Sequence, residues 1–441
     1  MSKMSKIKVG IIGVGNCAKS LVEGIQYYKS NPEDKVGLMY PDIGGYTIEE
    51  IEFVVGFDVD RRKVNKPLVE ALRAAPNCAM NHVDEILENG SNTSGCIKKG
   101  AMVYSGPELD GVAPHMLDYP EEVSFRTGAE AAKSFDDIVK IVKEAEVDVL
   151  VNYAPVGSEK LSKFYIDVAL KAGVHFVNCI PTVISTKETK RIEQKFIDAG
   201  LTIVGSDMRS AWGASRMSEV LQGAMIDSGL MITQHIQMNM AAGSTQGQEN
   251  IRTGRTANTD FLNMAKVERL HNKHISKENV LKGQNIVRDE PMAGATLYAG
   301  PSLTVQQKPG GQYVASDQKI AGSDNKIANF DIVAYGFAGA RYELTARLAV
   351  QDSPNSGGVV VSAIRFCKVA AEMGIVGYLR GPSAWTQKTP PVQLKTDEAK
   401  YECDMLANRQ YTDLTEEQRK ENNPKASRLT YTYQAEETDY A

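Results

Sequence analysis

The chain has 441 residues, 42% hydrophobic and 24% charged, ordinary proportions for a folded protein and more length than one hydrophobic core usually serves. Fifty basic residues against 55 acidic ones leave a net charge of -5, so no basic surplus favours nucleic acid or an anionic membrane. Cys17, Cys78, Cys96, Cys179, Cys367 and Cys403 form no CxxC pair and no zinc-like cluster with histidine. Cys17 and Cys179 stand in apolar contexts and read as buried thiols. The start, residues 1–8, is short and basic and lacks the apolar core of a signal peptide. No uncharged apolar run reaches the ~18 residues of a membrane span. A soluble, cytoplasmic protein is expected, with neither nucleic acid nor membrane as a partner.

Ile7 to Ile12 is a β-branched strand ending in a glycine turn, and apolar periodicity from Ala18 to Tyr28 predicts a helix. A loop-rich stretch with Pro32, Pro41, Gly44 and Gly45 leads to a second buried strand, Ile51 to Phe57, which ends in Asp58-Val59-Asp60. Asn, Gly and Ser cluster between Asn89 and Gly95, which predicts loop. Helices follow over 129–145, 157–172 and 186–199, alternating with strands over 147–151, 175–178 and 201–204. Strands and helices alternating at this spacing imply a parallel, doubly wound sheet.

Near residue 230 the texture changes. The stretches 231–240 and 330–348 alternate as strands with no regular helix between them, which implies a separate α+β layer. A long helix returns over 355–373, and from Thr396 a polar, charged tail offers one short helix and no further periodicity. No internal repeat is present.

Gly13-Val14-Gly15-Asn16-Cys17-Ala18 matches GxGxxA between the first strand and the first helix. In that setting the first glycine makes the turn, the second lets the backbone approach a pyrophosphate, and the small third residue allows close helix–strand packing. The helix N-terminus turns the positive end of its dipole toward the phosphates. Asp58 ends the second strand farther along than the usual ~20 residues, an excess that the loop after Ser30 accounts for. A carboxylate there binds both ribose hydroxyls and repels a 2′-phosphate, so NAD is favoured over NADP.

The six histidines stand in no dehydrogenase motif. Lysine and aspartate stand out instead. Asp260-Phe261-Leu262-Asn263-Met264 is followed by Lys273-His274-Ile275-Ser276-Lys277, Asp324-Asn325-Lys326, Asp352-Ser353-Pro354-Asn355-Ser356 and Lys388-Thr389-Pro390-Pro391. In this order, together with 9–18, 56–60, 152–159 and 204–214, they resemble the myo-inositol-1-phosphate synthase (inositol-3-phosphate synthase) family in its shorter bacterial and archaeal form. The resemblance runs from about Ile7 to Pro391.

It implies an α/β fold in which a Rossmann-type doubly wound parallel sheet is interrupted by an inserted α+β catalytic and tetramerisation domain. The expected division is 1–230 for the NAD-binding domain, 231–350 for the insertion, 351–395 for the return and 396–441 for the tail. The implied reaction converts glucose 6-phosphate to inositol 3-phosphate in a homotetramer: oxidation at C5, loss of a C6 proton, aldol closure of C6 on C1, and reduction at C5 by the same NAD. A divalent or monovalent cation is a further possibility that no motif assigns.

Carried over by matching motif, the catalytic candidates are Lys273, Lys277, Lys326 and Lys388, with Asp207, Asp260 and Asp352 to orient lysines, contact nicotinamide or hold a cation. The cofactor candidates are Gly13, Gly15, Asn16, Cys17, Ala18, Asp58 and Pro155. The chemistry suits lysines independently, because phosphate, C5 enolate and C1 alkoxide all need ammonium groups where negative charge gathers. Packed close together, those groups lower one another's pKa and ease proton transfer. Taken singly, lysines at such spacing read as solvated surface charges, and Asp352 also reads as a helix cap.

Three departures from the family pattern bear on substrate identity. Ser206-Asp207-Met208-Arg209-Ser210 carries Arg209 where the family commonly has lysine, keeping charge without proton shuttling. A polar insertion over 243–257 brings Arg252 and Arg255, as a solvated loop or as a lid or phosphate clamp. A glycine-rich stretch over 306–323 is longer than expected before Lys326. A cyclase or epimerase of another sugar phosphate, a net dehydrogenase and a non-catalytic NAD-sensing protein are the alternatives.

Overall fold

The structure, a computed structural model, describes residues 4–410 except 91–92, 119–120, 122–123, 129–130, 183–185, 302–304, 308–312 and 316–323; within 242–295 it describes only Lys273, Ser276 and Val280.

In chain order the first strands are β1 (Ile7–Ile12), β2 (Ile51–Asp58), the short pair β3 (Asn89–Gly90) and β4 (Thr93–Ser94), and β5 (Val103–Ser105). Then come β6 (Val149–Asn152), β7 (His175–Asn178) and β8 (Thr202–Val204). β9 (Met231–Ala241), β10 (Thr296–Pro301), β11 (Val305–Gln307) and β12 (Tyr313–Ala315) follow, and β13 (Asn325–Tyr335), β14 (Arg341–Gln351) and β15 (Gly377–Tyr378) complete the set.

Seven of these make one sheet in the order β15-β8-β7-β6-β1-β2-β5, every neighbouring pair parallel. β1 and β2 are buried almost end to end, the pattern of strands covered on both faces. Helix α1 (Asn16–Ser30) and the long helix Asp352–Glu372 cover one face, through Leu21, Ile25, Ile364 and Phe366. After the one-turn α2 (Leu68–Ala71), helices α3 (Phe135–Glu144), α4 (Glu159–Ala172) and α5 (Thr186–Asp198) cover the other, through Ile138, Ile166 and Phe196. The order reverses between β1 and β6, and ligands in such folds sit outside the strand C-termini at that point.

The second sheet has the order β10-β9-β13-β14, with β9–β13 and β13–β14 antiparallel and β10–β9 parallel. Helix α6 (Ala214–Asp227) packs Leu221, Met225 and Ile226 on its Ile232, Ile332 and Ala334. Among the described residues no helix is long and apolar enough to cross a membrane.

Several sequence-based boundaries need correction. The helix expected over 129–145 begins at Phe135, because Ser134 caps it and exchanges bonds with Asp137. The loop expected over 89–95 contains the β3–β4 pair. The alternating stretch 330–348 is two strands, turned at Ala338 and Gly339, both with left-handed backbone (φ 54° and 79°). Between β9 and β13, where no helix was expected, Lys273, Ser276 and Val280 lie in helical backbone.

Candidate active site

A cavity of about 220 Å³ opens at the ends of β1, β2, β6 and β7, lined at one extreme by Gly13, Gly15 and Asp58 and at the other by Asp207, Lys273 and Lys388.

At the first end the wall is mostly main chain. A Cβ on Gly13 (φ 84°) would lie 2.6 Å from the Tyr153 carbonyl oxygen, so only glycine fits the turn. A Cβ on Gly15 would meet nothing within 4 Å, which leaves open space above the start of α1. No side chain caps that helix, so its positive end faces the cavity. These features fit a pyrophosphate. Asn16 Oδ1 accepts from the Cys78 and Ala79 amides at 2.7 and 2.9 Å and holds the 76–79 loop beside the opening. Ala18 is fully buried in the core, where its small size serves packing, and Pro155 stands in the cavity wall. Cys17 is half-buried rather than buried: in the first turn of α1 it faces the cavity, with Sγ 3.8 Å from Ser353 Oγ.

Asp58 braces the glycine turn. Its Oδ2 accepts from the Val14 amide at 2.7 Å, and its Oδ1 accepts from Val59 and Asp60 at 2.8 and 2.9 Å. The Val14 carbonyl accepts in turn from Lys63 Nζ at 2.8 Å and Asn77 Nδ2 at 3.1 Å, so Val14 is held through both its amide and its carbonyl. Burial pushes the Lys63 ammonium below the usual lysine range, against the pull of Asp58 and Asp60. Lys63 and Asn77 were not anticipated from the sequence, because nothing in their spacing marks them as partners of a carbonyl 49 and 63 residues away.

The second end is made of charge. Asp207 is 1% exposed and has left-handed backbone (φ 64°), a costly placement for aspartate that points to a site. Its Oδ1 lies 3.2 Å from Lys273 Nζ and 3.0 Å from Lys388 Nζ, while Ser276 donates to Oδ2. Burial pushes the Asp207 carboxyl up, but the two ammonium groups and Ser276 outweigh it and hold the group ionised, well below the usual range. Lys388 also donates to the Met208 carbonyl at 2.7 Å. Burial lowers its ammonium to about 8, with Asp207 opposing and Lys273 and Lys326 adding to the fall.

Lys326, near the start of β13, pairs with Asp352 at the head of the long helix. Burial raises the Asp352 carboxyl, and Lys326 overcomes it to leave a net lowering. The capping reading of Asp352 is corrected. Gln351 is the cap residue, and the helix start is satisfied by Asp324, which accepts from the Ser353 amide at 2.8 Å and its hydroxyl at 2.6 Å. Burial, and then repulsion from Asp352, push the Asp324 carboxyl up to about 6.

The structure thus brings together Lys273, Lys326, Lys388, Asp207 and Asp352. Asp260, Lys277 and the 243–257 insertion lie outside the described residues. In the sequence Ser276 and Asp324 stand out only as members of longer motifs; in the structure both take part. Arg209 does not line the cavity; it is buried and ion-paired with Glu219. Among the described residues no group of three or more His, Cys, Asp or Glu side chains is arranged to hold a metal.

No family model matches the chain. The inositol-3-phosphate synthase of Mycolicibacterium smegmatis is 35% identical over 401 residues, covering 90% of this chain and 97% of that protein. That of Corynebacterium glutamicum is 34% identical over 402 residues, covering 90% and 96%. Among solved structures, a myo-inositol-1-phosphate synthase-related protein from Thermotoga maritima has a TM-score of 0.62 at 19% identity, covering 91% of this chain and 98% of that one. Inositol-3-phosphate synthase from Caenorhabditis elegans has a TM-score of 0.57 at 12% identity, covering 92% and 86%. These two likenesses establish the shared α/β fold. The two bacterial synthases match at 34–35% identity over 90% of this chain, and the chain belongs to the inositol-3-phosphate synthase family.

Proposed function

We propose that the chain is an inositol-3-phosphate synthase, an isomerase that cyclises D-glucose 6-phosphate to 1D-myo-inositol 3-phosphate with NAD. One observation carries the reading: Lys273, Lys326 and Lys388, with their carboxylates, line the same cavity as the glycine turn. Gly13, Gly15, the open end of α1, Asn16 and Pro155 would hold NAD, with Asp58 at the adenosine ribose. Bound there, NAD supplies hydride acceptance from C5 and hydride return to C5.

The chain's own residues do the rest. Ammonium groups at Lys273, Lys326 and Lys388 stabilise negative charge on phosphate, on the C5 enolate and on the C1 alkoxide as each develops. Lys388, held at about 8, exchanges a proton readily near neutral pH. Asp207 aims Lys273 and Lys388, and Asp352 aims Lys326. Lys277 and Asp260 join this set by resemblance, and a cation is left unassigned. We propose further that the unit 231–350 carries the tetramer contacts. The outer strand β14 exposes alternate side chains, and Met231, Phe337 and Tyr342 are exposed apolar groups on the same sheet or its turn.

The test is to incubate the protein with glucose 6-phosphate and substoichiometric NAD and identify the phosphorylated product by NMR. Inositol 3-phosphate without accumulating NADH is expected. NADH rising one-for-one with product would mean a net dehydrogenase. A different cyclised or epimerised sugar phosphate would mean a relative with another substrate, and NAD binding with no turnover would mean a sensor.

A further inference from the structure

Behind the lysine end, the segment around Asp207 lies alongside the segment around Lys388. Ser206 and Thr389 exchange two backbone hydrogen bonds of 3.0 Å, Lys388 N donates to the Asp207 carbonyl at 2.7 Å, and Arg209 N donates to the Thr386 carbonyl at 2.8 Å. The Arg209 side chain adds a clasp to this ladder. Its Nε donates to the Gln387 carbonyl at 2.5 Å and its Nη1 pairs with Glu219 on α6. Glu219 is shared: Arg216 Nη1 lies 3.3 Å from its other oxygen. Arg216 also reaches the Trp385 carbonyl at 3.2 Å and stacks 3.9 Å over the Trp385 ring.

Arg209, Arg216 and Glu219 are each no more than 7% exposed. Burying three charges is costly, and apolar side chains of similar volume often serve stability as well. What apolar side chains cannot supply is direction. A guanidinium is a rigid planar fork, and here its two prongs tie a helix to the carbonyl of the residue just before Lys388.

We propose that Arg209, held by Glu219 and Arg216, is a positioning residue that fixes the Lys388 ammonium against Asp207. This deepens the reading of Lys388 as part of the sugar-phosphate site and rests on that reading for its catalytic meaning. The charged groups facing Lys388 are Asp207, Lys273, Lys326 of β13 and Asp352 at the head of the long helix. Arg209 touches none of them with its side chain and acts through the backbone at 387.

The experiment measures the pH dependence of Lys388 acylation by an amine-reactive reagent, read by peptide mass spectrometry, beside kcat and KM for glucose 6-phosphate. Arg209→Met is the main variant, because it leaves Glu219 paired with Arg216. Loosening the segment admits water, so Lys388 should titrate closer to the ordinary lysine value. With misplacement of the ammonium, kcat should fall about tenfold or more, with KM within about twofold. Arg209→Lys keeps the charge but offers one nitrogen in place of the fork, and should restore both readouts only in part. Glu219→Gln keeps the shape, removes the pair and should move Lys388 the same way, which covers the case in which Arg209→Met does not fold. An unmoved Lys388 titration in the folded variant overturns the proposal. Acylation needs no turnover, so the Lys388 shift in a protein that never cyclises glucose 6-phosphate would overturn the functional reading and leave the positioning role standing.

Discussion

The two ends of one cavity are built by opposite means. The glycine-turn end is built around one stretch, in which β1, the turn, α1 and β2 supply Gly13, Gly15 and Asp58, with Pro155 and the 76–79 loop beside it, and the contacts of that stretch are mainly to main chain. The lysine end is gathered from four distant segments around Asp207, Lys273, Lys326–Asp352 and Lys388, and its contacts are between side-chain charges. A main-chain cradle tolerates losing one side chain, because shape carries most of its binding. A buried charge network does not, because each partner removed leaves another unpaired in a dry place.

The largest effect should follow at the lysine end. Lys388→Ala should lower kcat by roughly 100-fold or more, the scale of losing one donor to a developing oxyanion, while NAD binds as before. Lys388→Arg should fail to rescue if this residue moves a proton, since guanidinium stays protonated. Alanine variants of Lys273, Lys277 and Lys326 extend the test. Should most of them keep near-full turnover with intact cofactor binding, the lysines do not carry the chemistry and the contrast between the two ends fails.

At the other end, Asp58→Ala should weaken NAD binding by about 1–3 kcal/mol. NADP should lose less, because a carboxylate repelling its 2′-phosphate has gone. Titration calorimetry with both dinucleotides measures this, and kcat at saturating NAD should stay near wild type. Unchanged affinity for both would remove Asp58 from the ribose and leave it only as the brace of the turn. A kcat loss as deep as that of Lys388→Ala would show that the two ends are not separable.

A subtler effect concerns the network's pH dependence. Asp207 opposes the burial that lowers Lys388, so Asp207→Asn should move Lys388 below about 8 and shift the kcat profile to lower pH. An unshifted profile would mean that Asp207 does not face Lys388 during turnover. Linkage gives the sign for stability. The Asp207 carboxyl titrates lower folded than unfolded, so its stabilising contribution exists above the ordinary carboxylate value and is lost as pH falls toward its folded value.

Asp324 gives the smallest effect, with the opposite sign. Its folded value, about 6, is above the ordinary one, so its contribution is favourable at low pH and is lost as pH rises through that window. The Tm difference between Asp324→Asn and wild type should therefore turn in the variant's favour between pH 4 and about 7. A flat difference would show that Asp324 is not strained by burial and Asp352.

The same contrast decides what could be read from sequence. The parallel sheet was legible because its strands are apolar runs at regular spacing, and the cofactor end because Gly13, Gly15 and Asp58 act within one βαβ unit. Lys273, Lys326, Lys388, Asp207 and Asp352 were reached only through resemblance, since spacing alone cannot show that residues 181 positions apart, Asp207 and Lys388, share a hydrogen bond. Asp324 escaped because its role is a cap delivered from another element, across 29 residues, to the start of a helix whose own first residue looked like the cap. Arg209 was read as an altered charge of the site. Its partner Glu219 lies on the buried side of α6, and no local pattern distinguishes that pairing from a lysine's place in the cavity.

The most direct measurement of the central claim, one cavity that removes a hydride and returns it, follows deuterium. Glucose 6-phosphate labelled with deuterium at C5 is turned over with NAD at well below substrate concentration, and the product is examined by NMR and mass spectrometry. Inositol 3-phosphate that keeps the deuterium on the carbon derived from C5 is expected, with no accumulating NADH. Loss of the label to solvent or to released cofactor, or a product that is an oxidised sugar phosphate, would contradict it.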